Sequence, residues 1–213
     1  MRRFRTFGVR AALLTLVGAA VAAWAADPLP DPWKDKDVGD CGTAGSAVCK
    51  DAKWTVKASG GDIWDQADAF HFVYQTIKGD GCIMAKVTSL DNTNEWAKAG
   101  VMFREKLEPG SKHAMCVTTP ANQSHMQWRP TADDASQNAD AVGDNAPYWV
   151  KIERKGDKFT ASVSKDGKDW ASAGDPQTVE MPKDKDIYVG LAVTAHDNGQ
   201  VTTAVFENVT VTK

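Results

Sequence analysis

Apolar and polar side chains alternate with a period of two in one short segment after another, and turn residues separate these segments. The segments IMAKVTS at 83–89 and IYVGLAVTA at 187–195 show the alternation, and Asp166-Gly167 marks a hairpin turn. This period is typical of strands, because successive side chains of a strand point to opposite faces of its sheet. Asp-Gly favours tight hairpins because a type I′ turn needs positive φ at both central positions. The sequence shows no amphipathic helix longer than a turn or two, so it predicts an all-β protein.

Ten segments with this pattern are predicted to be antiparallel strands. They span residues 54–57, 69–75, 83–89, 99–105, 113–119, 125–129, 148–154, 158–164, 187–195 and 202–212. So many strands in one domain predict two packed sheets, and a two-sheet jelly-roll sandwich is the expected architecture. We expect the sandwich to occupy residues 38–213, after an extended, Pro- and Asp-rich lead-in at 26–37, with a polar loop at 131–147.

Residues 1–25 have the composition of a secretory signal peptide. Four arginines and no acidic residue precede or flank the uncharged apolar run at 11–23, and Ala23-Trp24-Ala25 matches the small-x-small cleavage pattern. The apolar run is shorter than the roughly 20 residues that span a bilayer, so we expect no membrane insertion after cleavage. The expected location is therefore extracellular, periplasmic or in the cell envelope, and the short cationic start is typical of bacterial signals.

Cleavage of this segment changes the charge of the protein. The whole chain has 25 Lys and Arg against 28 Asp and Glu, a net charge of −3, and loss of the four arginines makes it −7. Nucleic-acid binding depends on a basic surface, so the mature chain is not expected to bind nucleic acid. An ordinary hydrophobic content of 42% suits a single globular domain, which we expect to be a monomer.

The four cysteines have no spacing typical of a metal site. In an oxidising compartment, Cys41 and Cys49 are expected to form a disulfide that closes a short loop. Cys82 and Cys116 are expected either to form a second bridge or to remain buried thiols. All four cysteines are therefore interpreted as structural.

The alternation also predicts a polar face on one sheet. In the segment 69–75 the phenylalanines and the tyrosine share one side and the polar residues share the other, and similar splits occur in three further segments. We expect one surface to present His71, Gln75, Lys98, Arg104, Gln127, Arg129, Thr194 and His196. This face depends on which strands are neighbours, and the sequence does not determine that.

Several segments together resemble one family of exported bacterial proteins. They are GDIWDQADAFHFVYQ at 61–75, WAKAGVMFRE at 96–105, PGSKHAM at 109–115, SKDGKDW at 164–170 and VGLAVTAHDN at 189–198. The chain resembles the concanavalin A-like family of unknown function labelled "regulation of enolase protein 1" over nearly all of its length after residue 37. The resemblance implies a jelly roll of the lectin and glucanase type. It also implies that Lys98, Arg104, Arg129 and His196 occupy the polar motif positions of that family.

Carbohydrate binding is the expected function of the polar face. Sugar sites combine aromatic side chains, which cover the apolar faces of the ring, with polar groups that bind its hydroxyls. Trp64 and Trp96 lie in loops beside the predicted face and are candidates for those aromatics. Arg104 and Arg129 could bind carboxylate, sulfate or phosphate in a bidentate manner, which suggests an acidic glycan or another anion. Alternatively, both arginines belong to an internal hydrogen-bonded network.

No catalytic residue is assigned. Glucanases of this fold need two carboxylates close together, and no strand carries acids at alternate positions. No cofactor or metal is assigned either, although Asp133, Asp134, Asp140 and Asp144 could hold calcium or simply form a solvated loop. The expected function is a non-catalytic binding module for carbohydrate or another extracellular polymer. A structural or adhesion module of the cell envelope and a glycan hydrolase are the alternatives.

Overall fold

The chain forms a sandwich of two antiparallel sheets. A computed structural model describes Met1 and residues 29–213, and the strands of both sheets lie within the second range. No helix long and apolar enough to cross a membrane occurs in the part of the chain so described. The predicted all-β, two-sheet antiparallel architecture is confirmed.

The first sheet has seven strands. In spatial order they are β1 (Lys34–Val38), β4 (Phe70–Ile77), β14 (Ile187–Thr194), β6 (Lys98–Arg104), β7 (His113–Thr118), β8 (Ser124–Arg129) and β9 (Gln137–Asn138). β14 joins strands from distant parts of the chain, since Leu191 lies opposite Val73 on one side and Val101 on the other. Segments far apart in the sequence therefore meet on one surface of this sheet.

The second sheet has eight strands. Seven follow the order β12 (Trp170–Ser172), β11 (Lys158–Ser164), β10 (Tyr148–Lys155), β5 (Gly81–Leu90), β15 (Thr202–Thr212), β3 (Lys53–Ala58) and β2 (Ser46–Lys50). The eighth, β13 (Gln177–Thr178), also pairs with β11. The register of β15 against β5 shifts twice, beside Phe206 and between Glu207 and Thr210.

The ten predicted strands are all present, with ends within two residues of the predicted positions. The short strands β1, β2, β9, β12 and β13 were not predicted. β1 begins inside the segment 26–37, so the sheet starts before the predicted domain boundary at residue 38. β9 lies inside the predicted polar loop at 131–147. Apart from Met1, the predicted signal peptide at 1–25 lies outside the described residues.

The main hydrophobic core fills the space between the sheets. Val101, Phe103 and Leu191 of the first sheet are fully buried there, as are Ile83 and Phe159 of the second. The rings of Phe103 and Phe159 meet edge to face, with 5.6 Å between their centroids. Contacts of this kind across the two layers hold the sheets together, because burial of aromatic side chains contributes a large part of core stability.

A second apolar cluster lies on the outer face of the first sheet. Phe70, Phe72, Met102 and Met115 are fully buried on this face, and Ile63 from the loop before β4 packs with them. The strands in the middle of this sheet are therefore covered on both faces. Strands covered on both faces read as continuous apolar runs and do not show which side faces the core.

This arrangement corrects the predicted position of two polar residues. Cross-strand partners in an antiparallel pair point to the same face, and His71 lies opposite Val193 while Gln75 lies opposite Val189. Both valines belong to the core between the sheets. His71 and Gln75 therefore lie on the inner face, and the prediction that they share a surface with Lys98 and Arg104 was wrong.

The predicted disulfide is also corrected. Each of the four cysteines is a free thiol. The Cys41 thiol is directed at the carbonyl oxygens of Val38 and Phe70 on the first sheet, 3.7 Å from each, whereas Cys49 lies on β2 of the second sheet, opposite Trp54. Cys116 is buried between the sheets, and its position agrees with the expectation of a buried thiol.

Candidate functional site

A cavity of about 350 Å³ opens at one end of the outer face of the first sheet. Its walls come from the loop before β4, the loop before β6, the strands β6, β8 and β9, and the residue two positions after β14. The lining residues are Asp62, Trp64, Trp96, Lys98, Gln127, Asn138 and His196. The volume is at the lower end of the range of about 300–1,000 Å³ found for small-molecule sites.

Five of the ten residues predicted for the polar face and its neighbouring loops line this cavity. Trp64, Trp96, Lys98, Gln127 and His196 come from five separate segments, and the sheet topology brings them together. Lys98 and Gln127 lie on the outer face of their strands, as the alternation predicted. The tryptophans enter from loops, because those loops fold over the end of the sheet.

A lysine, a carboxylate and an imidazole are grouped in the wall of the cavity. Lys98 Nζ donates a hydrogen bond to Asp62 Oδ1 and another, of 3.2 Å, to the carbonyl oxygen of Trp96. His196 Nδ1 lies 3.1 Å from Asp62 Oδ2, but outside hydrogen-bonding geometry, so this nitrogen has no partner among the described atoms. Asp62 therefore neutralises Lys98, and its second oxygen lies beside His196.

The backbone at His196 has φ of +53°, in the left-handed region that few residues other than glycine adopt. A hydrogen bond of 3.4 Å from the His196 backbone N–H to Thr194 Oγ1 accompanies this conformation. Thr194 is itself buried, and its single hydroxyl proton lies within hydrogen-bond distance of two carbonyl oxygens, those of Gly60 and Ala69, so Thr194 lies beneath the loop before β4. Such conformations persist where the surrounding structure holds them, and they are frequent at functional sites.

Gln127 supplies a polar atom that lacks a partner. The residue is 4% exposed, and its buried Oε1 has no hydrogen-bond partner among the described atoms. A buried amide oxygen without a partner costs about 1–3 kcal/mol of stability. A donor that enters the cavity, from water or from a ligand, would remove this cost. This is the strongest local indication that the cavity is built to hold a polar molecule.

Two tryptophans give the cavity aromatic walls. Trp64 and Trp96 are both half-buried. The Trp96 ring is fixed by its neighbours, since its centroid lies 5.7 Å from that of His125 and 5.9 Å from Lys98 Nζ. Half-buried indoles held in this way can offer an apolar surface to a ligand at a small cost in side-chain entropy.

The two predicted anion-binding arginines do not reach the cavity surface. Arg104 and Arg129 are fully buried, and both bind the buried carboxylate of Asp68. Arg129 uses Nη1 and Nη2 to bind Asp68 at 2.8 and 2.6 Å, and Arg104 Nη1 lies 2.6 Å from Asp68 Oδ2. The prediction that these guanidiniums face an anionic ligand was wrong, and the alternative of an internal network is the arrangement found.

Burial and the neighbouring charges shift the pKa values in this buried cluster. Burial alone raises the pKa of Asp68, but attraction to His113, once acid has protonated it, and to the two guanidiniums outweighs burial and holds that pKa below its ordinary value. Burial lowers the pKa of Arg104, against the opposing attraction of Asp68. Burial also lowers the pKa of His113 to about 3, with the arginines adding to the effect and Asp68 opposing it. His113 is therefore a neutral imidazole at neutral pH.

The cluster holds the loop that carries the cavity wall. Arg129 Nη2 donates to the carbonyl oxygens of Trp64 and Asp65 at 3.0 and 2.9 Å, and its Nε donates to the carbonyl of Asp134 at 2.9 Å. The hydrogen bonds are made by backbone atoms of the loop, so they fix the loop without using the Trp64 indole. Arg129 thus positions the loop that carries Trp64, from a buried place beneath that loop.

His71, which lies on the inner face, binds two aspartates of the first strand. Its Nδ1 lies 2.7 Å from Asp37 Oδ1, and its Nε2 lies 3.1 Å from Asp35 Oδ2. The contact ties β1 to β4 at the edge of the sheet. His71 therefore has a structural environment, and neither it nor Gln75 lines the cavity.

The aspartates of the 131–147 loop do not converge. Within residues 29–213, no group of three or more His, Cys, Asp or Glu side chains is placed to hold a metal ion. Asp134 and Asp144 instead accept hydrogen bonds of 2.8 Å from the backbone N–H of the residue that follows each of them. These are the local contacts of a solvated loop.

Sequence reasoning missed two residues of the lining. Asp62 lies in a loop that the alternation does not describe, and its partner Lys98 is 36 positions away. Asn138 belongs to the two-residue strand β9, which is too short to give a periodic signal. The one available signal was the acidic character of the GDIWDQAD segment next to a basic strand, and that signal does not select Asp62 over Asp65 or Asp68.

Comparison with known proteins yields relatives in structure only. No family model and no curated protein sequence matches the chain. Among solved structures, a functionally unknown protein from Saccharomyces cerevisiae has a TM-score of 0.62 at 17% identity, covering 78% of this chain and 91% of its own. A carbohydrate binding module, CBM66 from Bacillus subtilis, has a TM-score of 0.54 at 18% identity and covers 85% and 95%.

A third neighbour is a pseudo β-1,3-glucanase and immunostimulatory antigen of Mycobacterium tuberculosis. Its TM-score is 0.55 at 10% identity, with 87% of this chain and 93% of that chain covered. Identities this low establish the fold and nothing finer. The chain therefore has the jelly-roll fold of the concanavalin A-like type, which these neighbours share and which the sequence predicted.

Proposed function

We propose that this protein is an exported, non-catalytic module that binds carbohydrate in the cavity lined by Trp64, Trp96 and Gln127. The observation that carries the proposal is the combination of two half-buried indoles with a buried amide oxygen that lacks a partner. Sugars present both apolar C–H faces and rows of hydroxyl groups, so they match a site that is partly aromatic and partly polar. The structural similarity to a carbohydrate binding module supports this choice of ligand.

The chemistry of the lining favours binding over hydrolysis. Glycosidases use two carboxyl groups on either side of the scissile bond, about 5–5.5 Å apart in retaining enzymes and about 6.5–9.5 Å apart in inverting ones. Asp62 is the single carboxylate among the residues that line the cavity, and it is already paired with Lys98. A structural module without a ligand is the other alternative, and it leaves the unpartnered amide of Gln127 without a role.

Binding is tested with the purified protein on a glycan array, followed by titration of the glycans that it retains. We expect Trp64→Ala and Trp96→Ala each to weaken binding by tenfold or more, equivalent to about 1.4 kcal/mol. Trp170→Ala is the matched control, because Trp170 is half-buried on the second sheet, stacked on Lys151, away from the cavity. Equal loss in all three variants, or no retained glycan, contradicts the proposal.

Gln127 gives a second and independent test. Gln127→Met keeps the length of the side chain but removes both the donor and the acceptor. We expect it to weaken glycan binding while stability is unchanged or slightly raised, because an unsatisfied buried oxygen is lost. Unchanged affinity would mean that the amide does not contact the ligand.

We further propose that the chain belongs to the "regulation of enolase protein 1" family and leaves the cytoplasm through its 1–25 signal. The sequence segments described above support the family, and the cationic and apolar composition of 1–25 supports export. Mass spectrometry of the protein from its native host tests export, with Ala26 as the expected first residue. Light scattering tests the expected monomer, and retention of Met1 in the mature protein would contradict cleavage.

A further inference from the structure

We infer that the ligand of this cavity is a neutral glycan, and that the site discriminates against sugars that carry carboxylate or sulfate. This inference rests on the proposed function and adds the class of ligand. Three features of the structure support it: the ion pair of Lys98 with Asp62, the burial of the two arginines, and the hydrogen-bond acceptors of the lining.

The single lysine of the lining is already neutralised. The Lys98 side chain is 3% exposed, and its Nζ is bound to Asp62 Oδ1 and to the backbone carbonyl of Trp96. An ammonium group has three donors, so one is left for a ligand. An anion that took this last donor would also approach the Asp62 carboxylate, and in a partly buried site that repulsion is weakly screened.

The arginines that could reverse this balance are buried away from the cavity. Each binds Asp68, and Arg129 also donates to five carbonyl groups of the surrounding loops through Nε, Nη1 and Nη2. Both guanidiniums are inaccessible, with an exposure of 0%. Arg104 and Arg129 therefore offer no donor to a molecule in the cavity, and their charge is compensated in part by Asp68.

The acceptors of the lining match hydroxyls better than carboxylates. Gln127 Oε1 is a buried acceptor without a partner among the described atoms, and Asp62 Oδ2 is a partly exposed acceptor 3.1 Å from His196 Nδ1. A carboxylate or sulfate has no donor, whereas a sugar hydroxyl both donates and accepts. Sugar hydroxyls could thus donate to these acceptors and accept from the third donor of Lys98. The volume of about 350 Å³ leaves room for only a short piece of chain, about one or two sugar rings.

The inference is tested by titration with pairs of oligosaccharides of similar length, one neutral and one charged. Suitable probes are galactotetraose against tetragalacturonate, a neutral agarose oligomer against its sulfated carrageenan counterpart, and acetylated chitotetraose against its cationic deacetylated form. We expect the neutral member of any pair that binds to be at least tenfold tighter. Tighter binding of an anionic or cationic member overturns the inference but leaves carbohydrate binding intact. Failure of these probes and of the whole glycan array overturns both.

A substitution at Asp62 should change the preference between acidic and neutral glycans, which it would not do if binding were non-specific. Asp62→Asn keeps an oxygen for the Ile63 N–H and for Lys98, and it leaves the lysine charge uncompensated. We expect the ratio of acidic to neutral affinity to rise about tenfold or more. Asp65→Asn is the control, since Asp65 lies exposed in the same loop outside the cavity lining. Should Asp62→Asn fail to fold, the wild-type pairs above decide alone; a folded variant with an unchanged ratio contradicts the inference.

Discussion

The buried imidazole of His113 makes the stability of this protein depend on pH between neutrality and pH 3. His113 lies in β7, fully buried, and neither ring nitrogen has a hydrogen-bond partner among the described residues. Burial, helped by the two neighbouring arginines, lowers its pKa from 6.5 to about 3. In the unfolded chain the same imidazole binds a proton near pH 6.5, so acid favours unfolding well before the native histidine is protonated.

The size of the effect follows from linkage. A histidine with a depressed native pKa costs nothing above the unfolded pKa, and its cost grows by about 1.4 kcal/mol for each pH unit below it until the native pKa is reached. At pH 4.5, two units below 6.5, the cost is about 3 kcal/mol. The contribution of Asp68 has the opposite dependence, because its pKa is lowered from 3.8, and that stability is lost only below about pH 4. The interval from 6.5 to 4.5 therefore separates the effect of His113 from that of Asp68, and comparison with a His113 variant removes the effects that the two proteins share.

Urea unfolding of the wild type and of His113→Leu at pH 7.0 and pH 4.5 measures this cost. Leucine is close to histidine in size, and it removes no hydrogen bond, because the imidazole makes none. We expect the wild type to lose about 3 kcal/mol more than the variant between the two pH values, a difference of about 1–3 M in the urea midpoint. Parallel losses in the two proteins would refute the reasoning, since they would show that His113 is protonated in the native state or hydrated.

Three further outcomes test the surrounding architecture. Asp68→Asn is expected to destabilise the fold by about 3–5 kcal/mol in urea, because it leaves two buried guanidiniums without their anion, and a loss below 1 kcal/mol would contradict that. Burial raises the pKa of Cys116 to about 12, so this thiol should resist alkylation at pH 8 until the protein unfolds, as mass spectrometry can follow. Gly190→Ala places a methyl group 2.0 Å from the backbone oxygen of Val73 and should cost at least about 1–3 kcal/mol, whereas Gly61→Ala, which meets nothing within 4 Å, should cost much less.

The strands could be predicted because alternation is a local property of the sequence. The face of the sheet on which each side chain lies could not. In β4, FHFVYQTI, the first four residues are all buried, so polarity does not separate its two sides. The phenylalanines look like core residues and the histidine like a surface residue, yet the phenylalanines lie on the outer face beneath a loop. The sequence does not show that a loop covers this face, because alternation describes the strand and not the irregular segment before it, where the covering residue Ile63 lies.

The arginines show that the position of a charged side chain is equally hard to predict from the sequence. A guanidinium in an alternating strand is expected to face water, because unpaired buried charges are strongly unfavourable. Arg104 and Arg129 avoid this cost through one aspartate that is 36 and 61 residues away in the sequence. No spacing rule connects these positions. The residues that do reach the cavity, Lys98 and Gln127, lie in the same two strands, nearer the end of the sheet where the cavity opens.

The separation of the buried arginines from the cavity has a consequence for binding. Arg129 binds the backbone carbonyls of Trp64 and Asp65, so the wall that carries the indole is held in place before any ligand arrives. A wall fixed in this way spares the ligand the entropy cost of ordering a loop, which for each immobilised side chain is about 0.5–1.5 kcal/mol. The arginines that sequence analysis assigned to ligand recognition therefore contribute to affinity by holding the loop of the cavity wall rigid. A substitution that removes the Asp68 carboxylate should consequently lower affinity even for glycans that touch neither arginine. Its effect should be similar for every glycan that binds.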